Sequence, residues 1–350
     1  MAQKFQDLNQ LYAHTFDTVI DVRSPAEFAQ DHLQGAINLP VLSNEERARV
    51  GTLYVQESPF LARKLGAALI FRNAADHIEN SLSHNEGGWR PLIYCWRGGQ
   101  RSGAFTWMLQ QIGWRADVVD GGYRSYRRLV SACLYDHPLP YRLVALDGYT
   151  GTAKTDLLKR LQDRGVQVLD LEDLANHRGS LLGEMPGGQP SQKAFESRLA
   201  AELFNLDTDR PVVVEAESSK IGNLLLPPSV WSALCLASRI RIEAPVEARA
   251  RYLALAYDDI LSDGPRLKDR LSPLRYHRGH EVVDHWSELI DAGAKQDLTR
   301  ALIEQHYDPA YLKSRRCNNA AVLANLSVSE LDHAGLEQMV ARIEALLAQV

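Results

Sequence analysis

The chemistry of this 350-residue chain starts from a cysteine in the sequence YCWRGGQRS at positions 94–102. Residues 91–94 are typical of a buried strand, and residues 102–112 have the pattern of an amphipathic helix, so Cys95 is predicted at a strand-to-helix turn. Backbone N–H groups in such a turn point toward the sulfur, and Arg97 and Arg101 add positive charge. Both effects favour the thiolate, so we predict that Cys95 is a reactive nucleophile.

The residues between the cysteine and the second arginine predict a loop that can surround an anion. Gly98 and Gly99 allow the tight curl that such a loop needs, and Gln100 completes the candidate cradle. The alternative is a packed, inert cysteine in an ordinary turn, which is how most lone cysteines behave.

Composition limits the class of protein. The length permits two domains, and the formal net charge of −5 argues against a protein that is basic over its whole surface. The four cysteines, at positions 95, 133, 235 and 317, show neither CxxC pairs nor metal-ligand spacing, which favours a reducing, cytoplasmic setting. The N-terminus lacks an apolar signal core, and no run approaches the roughly 20 apolar residues of a membrane span. We expect a cytoplasmic protein without membrane contact.

Strands and helices alternate through the first 130 or so positions. A strand is predicted at 18–20, and Ser24, Pro25 and Glu27 then supply an N-cap, a proline at the first helical position and a capping box. Further strands are predicted near 37–39, before Cys95, and at 116–119. This order predicts a parallel sheet covered by helices, with a site at the carboxyl ends of its strands.

Four motifs in this region resemble a rhodanese domain: DVRSPAEF at 21–28, HLQGAINLP at 32–40, the Cys95 loop, and DGGY at 120–123. The resemblance implies a cysteine that carries sulfur or selenium as a persulfide or perselenide. The Cys-x5-Arg loop is longer than the usual rhodanese loop and also resembles that of rhodanese-related dual-specificity phosphatases. Those enzymes usually have a histidine before the cysteine, where this chain has Tyr94, and no general acid is evident. We therefore favour chalcogen transfer from a phosphorylated donor over a phosphatase.

A second domain is predicted beyond the linker sequence DHPLP at 136–140, which gives domains at 1–137 and 138–350. A strand at 141–146 leads into DGYTGTAKT at 147–155 and a helix at 156–164, the setting of a P-loop. Lys154 would neutralise phosphate oxygens and Thr155 would ligate Mg²⁺. The predicted phosphate-binding residues are Gly148, Thr150, Gly151, Thr152, Lys154 and Thr155. Ala153 replaces the usual glycine before the lysine, which puts nucleotide hydrolysis in more doubt than phosphate binding.

A buried strand predicted at 211–218 ends in two acids, Glu215 and Glu217, that project in the same direction. P-loop proteins place a metal-binding carboxylate at this position, so either glutamate is a candidate for Mg²⁺, and exposed strand-end glutamates are the alternative. The sequence indicates no organic cofactor.

Helices are expected to follow a last strand near 239–245, including a final helix at 329–350 whose apolar stripe packs on the domain. Residues 266–280 contain five basic residues and one acid, so this segment is a candidate tRNA-binding surface, with Tyr276 available to stack on bases. Its basic residues are Arg266, Lys268, Arg270, Arg275 and Arg278. A smaller cluster comprises Lys313, Arg315 and Arg316. A solvated helix face is the alternative for both.

Nearly the whole chain is similar to the tRNA 2-selenouridine synthases, which fuse a rhodanese domain to a P-loop domain. The similarity includes the Cys95 loop, the P-loop, DLE at 170–172, LANHRGS at 174–180, EAES at 215–218, IG at 221–222 and HYDP at 306–309. The predicted fold class is therefore α/β, with a rhodanese-like parallel sheet, a P-loop NTPase-like domain and a helical tail.

The resemblance implies that selenium replaces sulfur in the wobble 2-thiouridine of tRNA, with the anticodon stem-loop as the bound partner. It implies selenophosphate and geranyl diphosphate as co-substrates, an S-geranylated intermediate, a source of selenophosphate and a selenium step at Cys95. The alternatives are a rhodanese-related phosphatase, a generic sulfurtransferase coupled to a nucleotide-binding domain, and a noncatalytic binding protein.

Overall fold

The computed structural model describes residues 2–216, 218–314 and 320–349. Contacts divide the chain into two compact units, one formed by 1–137 and 190–205 and the other by 138–189 and 206–350. The division between His137 and Pro138 lies where the linker was predicted, but residues 190–205 belong to the first unit, which the expected domains at 1–137 and 138–350 did not include.

The first unit is built around a five-stranded sheet in the order β1-β5-β4-β2-β3, in which every pair is parallel. Its elements are β1 (Ala2–Gln3), α1 (Leu8–Tyr12), β2 (Thr18–Asp21), α2 (Pro25–Gln30), β3 (Ile37–Asn38), α3 (Asn44–Gln56), α4 (Pro59–Glu79), β4 (Pro91–Tyr94), α5 (Gln100–Ile112), β5 (Asp117–Val119), α6 (Gly122–Ser131) and a π-helical turn (Ala132–Asp136). The central strand β4 is buried along its whole length. The predicted parallel sheet is confirmed.

Local signals explain where the helices of the first unit begin. The predicted capping box of α2 is formed, since the Ser24 side chain and the Glu27 side chain each accept from the other's backbone N–H. Ser43 and Glu46 form a second capping box at α3. The long helices α3 and α4 lie between β3 and β4 in the chain and cover one face of the core.

Residues 190–205 contain a helix that belongs to the first unit. Contacts with residues far away in the sequence hold this helix there. The Arg127 guanidinium pairs with the Glu196 carboxylate and donates to the Ser197 hydroxyl at 3.0 Å. The rings of Tyr12 and Phe204 lie 5.2 Å apart. These contacts join residues about 70 or more positions apart, so no local pattern could indicate them.

The second unit contains a five-stranded parallel sheet in the order β12-β11-β6-β8-β7. The elements after the linker are β6 (Leu143–Gly148), α7 (Lys154–Asp163), β7 (Gln167–Leu169), α8 (Leu171–Leu174), α9 (Gln192–Phe204, in the first unit), β8 (Val212–Glu215), β9 (Lys220–Ile221), β10 (Leu224–Leu225), α10 (Pro228–Leu236), β11 (Ser238–Glu243), α11 (Val246–Ala256), α12 (Asp258–Leu261), α13 (Gly264–Leu271), a 3₁₀ turn (Ser272–Leu274), α14 (Arg275–Arg278), α15 (His280–Asp291), α16 (Lys295–Leu302), a π-helical turn (Ile303–Tyr307), α17 (Asp308–Ser314), β12 (Val322–Ser327) and α18 (His333–Leu347). The α/β class with a largely helical C-terminal part is confirmed.

The expectation that only helices follow β11 is wrong. The strand β12 pairs in parallel with β11 and forms one edge of the sheet. Most of its residues are exposed, although the sequence at 320–324 is an apolar run.

The final helix α18 packs as its apolar stripe predicted. Leu336, Met339, Val340 and Ile343 join the same buried cluster as Leu157 of α7. Among the described residues, no helix has both the length and the hydropathy needed to cross a bilayer.

Candidate functional site

The cysteine loop connects the buried strand β4 to α5. Cys95 follows the last residue of β4 directly, its side chain is 3% exposed, and Gly99 caps the helix that begins at Gln100. The sulfur therefore lies at the carboxyl end of the central strand, at the base of the loop, where the sequence predicted it.

Hydrogen bonds explain the acidity of this thiol. Burial raises the pKa of Cys95, but the Ser102 hydroxyl and backbone N–H, the Arg101 charge and the Arg97 N–H act in the opposite direction and hold it below the ordinary cysteine value. The Ser102 Oγ donates to the Cys95 Sγ over 3.1 Å. Ser102 is fully buried and has no room to turn to solvent.

The N–H groups of Arg97 and Ser102 hydrogen-bond the sulfur, and other N–H groups of the described loop lack a backbone acceptor. Within the described ranges, the N–H groups of Trp96, Gly98 and Gly99 donate to no backbone carbonyl, and the N–H groups of Gln100 and Arg101 belong to the first turn of α5, where helices leave donors free. A loop with several such donors next to a thiolate is suited to hold the oxyanion of a phosphate-like group.

The DGGY turn packs directly against this loop and fixes its shape. Tyr123 N donates to the Cys95 carbonyl at 2.8 Å, and Arg124 N donates to the Trp96 carbonyl at 3.1 Å. A Cβ on Gly122, whose φ is +58°, would lie 2.3 Å from the Cys95 carbonyl oxygen and 2.6 Å from Gly98 N. Only glycine fits there, because the two backbones touch.

The two predicted arginines differ in their surroundings. Arg101 donates to both carboxylate oxygens of Glu27, at 2.8 and 3.4 Å, whereas Arg97 is exposed on the loop. Although burial opposes it, the hydrogen bonds from Arg101 and from Ser24 N lower the pKa of Glu27. Sequence reasoning treated Glu27 only as a capping residue and gave Ser102 no role, although a serine directly after the Cys-x5-Arg loop was a usable signal.

Beneath the loop, a buried network holds the β2 motif in place. Arg23 pairs with Asp21 at 2.6 Å, and its guanidinium lies 3.9 Å from the centroid of the Tyr123 ring. The Tyr123 hydroxyl donates to Asp31 at 2.7 Å. This network links the DVRS and DGGY motifs, so their residues position the loop rather than face a substrate.

The P-loop of the second unit has the predicted strand-loop-helix form. The strand β6 ends at Gly148, and α7 begins at Lys154. A Cβ on Gly151 would lie 2.9 Å from the Leu253 side chain, and one on Gly148 would lie 2.8 Å from the Ile242 carbonyl oxygen. Thr152 is buried and its hydroxyl donates to the Tyr149 carbonyl at 2.8 Å.

Ala153 occupies a backbone conformation that glycine normally supplies. Its φ of +58° is left-handed, and it is one of two non-glycine residues with positive φ among the described ones. The P-loop tolerates this backbone conformation at Ala153, because the Ala153 methyl group packs in the core between α7 and the sheet. In this structure Lys154 Nζ donates to the Gly148 carbonyl at 3.2 Å.

Carboxylates gather at the start of α7. The Thr155 hydroxyl donates to Glu215 at 2.8 Å and lies 3.5 Å from Glu172, and both glutamates are buried. Burial and the charge of Glu215 raise the pKa of Asp170 to about 6. Glu172 and Asp170 were missed as site residues, although the DLE motif contains both. Glu217 lies outside the described residues.

These oxygens fit Mg²⁺ in part. Mg²⁺ prefers oxygen ligands and usually takes several of them from water and phosphate, so Thr155 and Glu215 could hold it beside a bound diphosphate. Within the described residues, no group of three or more histidine, cysteine, aspartate or glutamate side chains is arranged as a metal site on its own. The metal would therefore depend on the phosphate ligand.

Comparison with known proteins identifies a family for each of the two domains. A family model for a rhodanese-like domain matches residues 3–129, and the model for the tRNA 2-selenouridine synthase AAA domain matches residues 141–263. A tRNA 2-selenouridine synthase from Nitrosomonas europaea is 34% identical, over 81% of this chain and 76% of the relative. Proteins of the same name from Hahella chejuensis and Alcanivorax borkumensis are 32% and 33% identical, covering 84% and 90% of their lengths and 84% and 85% of this chain.

The chain belongs to the tRNA 2-selenouridine synthase family. The Cys95 loop lies within the region matched by the rhodanese model, and the P-loop and Glu215 lie within the region matched by the AAA-domain model of the family.

Two residues beyond the matched regions brace the P-loop of this family member, Asp308 through Arg249 and Tyr311 through Tyr149. Arg249 Nε donates to the Thr150 carbonyl at 2.9 Å, and its guanidinium pairs with Asp308 at 2.5 Å. The rings of Tyr149 and Tyr311 lie 4.6 Å apart. The HYDP motif at 306–309 therefore supports the phosphate loop from outside, a role that its sequence alone did not indicate.

The basic segment is more neutralised than its composition suggested. Lys268 pairs with Asp291 at 2.5 Å, Arg275 with Asp284, and both Arg266 and Arg270 with Glu184. Arg278 donates to His306 Nδ1 at 3.2 Å. These partners reduce the positive charge that the segment presents, and its role in tRNA binding stays a prediction.

Two other features of this helical region bear on RNA binding. Tyr276 is 91% exposed and remains available for stacking. In the smaller basic cluster, Lys313 is exposed on α17, while Arg315 and Arg316 lie outside the described residues.

Proposed function

We propose that the chain is a selenophosphate-dependent tRNA 2-selenouridine synthase that acts through an S-geranylated intermediate. Its family membership and the names of its relatives support selenium chemistry on tRNA. We assign the two reactions to different units because the chain has two candidate anion cradles. One lies beside a thiol of lowered pKa, and the other lies beside a lysine and carboxylates.

We assign geranylation to the second unit. The sulfur of wobble 2-thiouridine would attack the first carbon of geranyl diphosphate, so that a C–S bond forms, the C–O bond breaks and the N3 proton of the base passes to water. Diphosphate would leave with the bonding electron pair, and Lys154 and the loop N–H groups at 148–155 would stabilise its charge. Thr155 and Glu215 would hold Mg²⁺, which supplies further charge neutralisation when bound. No organic cofactor takes part in this scheme.

We assign the selenium step to Cys95 in the first unit. Geranylation makes the sulfur a leaving group, because an alkylated thiocarbonyl can depart as geranylthiol. Forming a perselenide from selenophosphate would require an oxidant, since selenium would lose two electrons. Phosphoryl transfer to the cysteine needs none and uses the oxyanion cradle that the loop presents.

The redox-neutral sequence balances in three steps. The Cys95 thiolate attacks phosphorus, so that an S–P bond forms, the P–Se bond breaks and selenide leaves as HSe⁻ with the proton that selenophosphate carries at neutral pH. The HSe⁻ ion adds to C2 of the S-geranyl base, geranylthiolate leaves and takes a proton from water, and the selenol proton moves to N3 of the base. Water then cleaves the S–P bond to give phosphate and the free thiol, with the Ser102 hydroxyl placed to stabilise the departing thiolate.

The tRNA surface follows less directly from the geometry. The anticodon stem-loop would have to expose its wobble base, and proteins commonly hold such bases by stacking and phosphate contacts. Arg266, Lys268, Arg270, Arg275 and Arg278 could bind phosphates only by exchanging their present partners. Binding of tRNA by this segment stays a prediction, as does the cytoplasmic setting.

Mass spectrometry of nucleosides tests the whole proposal. The purified protein would be incubated with 2-thiouridine-containing tRNA, geranyl diphosphate and Mg²⁺, with and without selenophosphate. We expect S-geranyl-2-thiouridine without selenophosphate and 2-selenouridine with it. Absence of both products would refute the assignment. Tenfold faster phosphate release from a generic phosphate ester than from selenophosphate would favour the phosphatase alternative.

A further inference from the structure

A large apolar groove lies in the first unit between α3, α4 and the start of α5. It encloses about 990 Å³, at the upper end of the roughly 300–1,000 Å³ usual for ligand pockets. Val50, Tyr54, Ile70 and Phe71 contribute to its walls. Tyr54 and Phe71 are 54% and 41% exposed, so large apolar surfaces face the groove without cover. Apolar side chains of this size left open on one face mark a binding surface.

One end of the groove reaches the cysteine loop. Gln100 and Arg101, the first two residues of α5, line it. The next residue, Ser102, donates to Cys95 Sγ. A ligand in the groove therefore lies beside the residues that form the candidate anion cradle.

The charges at the groove favour a ligand with negative charge next to an apolar body. Arg47, Arg63 and Arg101 line it. The Glu27 carboxylate lies 2.8 Å from the Arg101 guanidinium and 3.8 Å from that of Arg47. Three guanidinium groups against this one carboxylate leave an excess of positive charge. A prenyl chain attached to a nucleotide in RNA has the matching combination of an apolar chain and phosphodiesters.

We infer that this groove holds the geranyl chain of the S-geranylated wobble base during the selenium step, an inference that rests on the proposed function. The chain is attached through sulfur to the carbon at which the C–Se bond forms and the C–S bond breaks. It must therefore lie next to the loop that contains Cys95. The groove would make the first unit selective for the geranylated base and would receive geranylthiol as it leaves with the electron pair of the C–S bond.

Filling the groove tests this inference in the full-length protein. Ala67 lies on α4, is exposed and lines the groove, whereas the neighbouring Ala68 is exposed but does not line it. Ala67→Phe is the test variant and Ala68→Phe its matched control. The substrates are two preformed tRNAs, one with S-geranyl-2-thiouridine and one with S-methyl-2-thiouridine at the wobble position, each supplied with selenophosphate. The initial rate of 2-selenouridine formation is measured by mass spectrometry.

We expect wild type and Ala68→Phe to prefer the S-geranyl substrate over the S-methyl substrate by about tenfold or more in kcat/KM. We expect Ala67→Phe to lose most of that preference, because its KM rises for the S-geranyl substrate alone. A folding defect in Ala67→Phe would lower the rates on both substrates equally, and it would also lower the melting temperature. A groove that contacts RNA or another protein would lower both rates equally in a variant of normal melting temperature. That second result overturns the inference. Equal rates of wild type on the two substrates would also overturn it. If wild type converted neither tRNA, the proposed selenium step itself would fail.

Discussion

The cysteine loop and the P-loop use the same local construction for different chemistry. In both, a buried parallel strand ends at a glycine-containing turn whose N–H groups precede a helix, β4 to α5 in one and β6 to α7 in the other. In the first, the residue after the strand is a buried thiol. In the second, the helix begins with Lys154 and Thr155, and the threonine hydroxyl donates to a buried carboxylate.

The difference lies in how each cradle treats charge. Neutral donors and Arg101, whose guanidinium is itself held by Glu27, stabilise the thiolate form of Cys95 and so lower its pKa. The second cradle places carboxylates next to the proposed phosphate site, where a cation or protonation of Asp170 would relieve their repulsion. Under the proposed function, one loop reacts and the other binds and releases a diphosphate.

Replacing Cys95 by serine should separate the two loops most strongly. We expect Cys95→Ser to slow selenation by at least about 10³-fold, because a hydroxyl remains protonated where the thiol ionises, and to leave geranylation unchanged. The measurement is the mass-spectrometric yield of 2-selenouridine and S-geranyl-2-thiouridine over time. Cys133→Ser is the control, since Cys133 is a half-buried free thiol of the same unit. Loss of geranylation in Cys95→Ser would show that the two activities share one site.

Removing the lysine of the P-loop should have the converse effect. We expect Lys154→Ala to slow geranylation about 10²-fold, because the leaving diphosphate loses a charged donor. Selenation of preformed S-geranyl tRNA should proceed at the wild-type rate. Lys159→Ala, on an exposed position of the same helix, is the control. Unchanged geranylation in Lys154→Ala would refute the assignment of geranyl diphosphate to this loop.

The two loops could be predicted from sequence because their signals are local. A buried strand, a glycine turn and a helix start within about fifteen residues fix both the position of Cys95 and that of Lys154. The capping box at Ser24 is equally local and was formed as predicted.

Features that depend on distant partners could not be predicted in this way. Glu27 and Arg101 are 74 positions apart, so no local pattern showed the partner of this loop arginine. Arg127 and Glu196 are 69 positions apart, so no local pattern showed that α9 belongs to the first unit. The partners of the basic segment were invisible for the same reason, since Glu184 pairs with Arg270 from 86 positions away. The edge strand β12 was missed although residues 320–324 are apolar, and its pairing partner β11 lies about 80 positions earlier in the chain.

The comparison can be sharpened at Ser102, which has no counterpart in the P-loop. We expect Ser102→Ala to raise the pKa of Cys95, because the thiolate loses a hydrogen bond of about 1.5–3 kcal/mol, and to slow alkylation at pH 7 about tenfold or more. The measurement is the rate of iodoacetamide labelling of Cys95 against pH, followed by peptide mass spectrometry. The wild-type profile should rise at a lower pH than that of an ordinary cysteine.

An exposed serine of the same unit provides the control for that experiment. Ser83→Ala removes a hydroxyl that donates only to a nearby carbonyl, at 3.1 Å, and should leave the labelling profile unchanged. A profile that is the same in wild type and Ser102→Ala would mean that backbone donors and Arg101 suffice to acidify the thiol.

The smallest expected effect concerns the pH dependence of the second cradle. Burial and Glu215 raise the pKa of Asp170 to about 6, so this carboxyl is protonated below that pH and the metal site then has one negative charge fewer. Binding of Mg²⁺ with geranyl diphosphate should therefore weaken as the pH falls through 6, by at most about tenfold per pH unit from this group. Isothermal titration calorimetry between pH 5 and 8 measures the change.

The diphosphate itself also titrates in this range, so the contribution of Asp170 is the difference between wild type and Asp170→Asn. The asparagine keeps the side-chain oxygen that caps α8 but carries no charge. The affinity of Asp170→Asn for Mg²⁺ with geranyl diphosphate should therefore already be below that of wild type at pH 8, and it should fall less steeply toward pH 5. Asp163→Asn, at an exposed position near the end of α7, should follow the wild-type curve. Parallel curves for wild type and Asp170→Asn would show that Asp170 takes no part in metal binding, and that Glu215 and Glu172 alone distinguish the metal-dependent cradle from the cysteine loop.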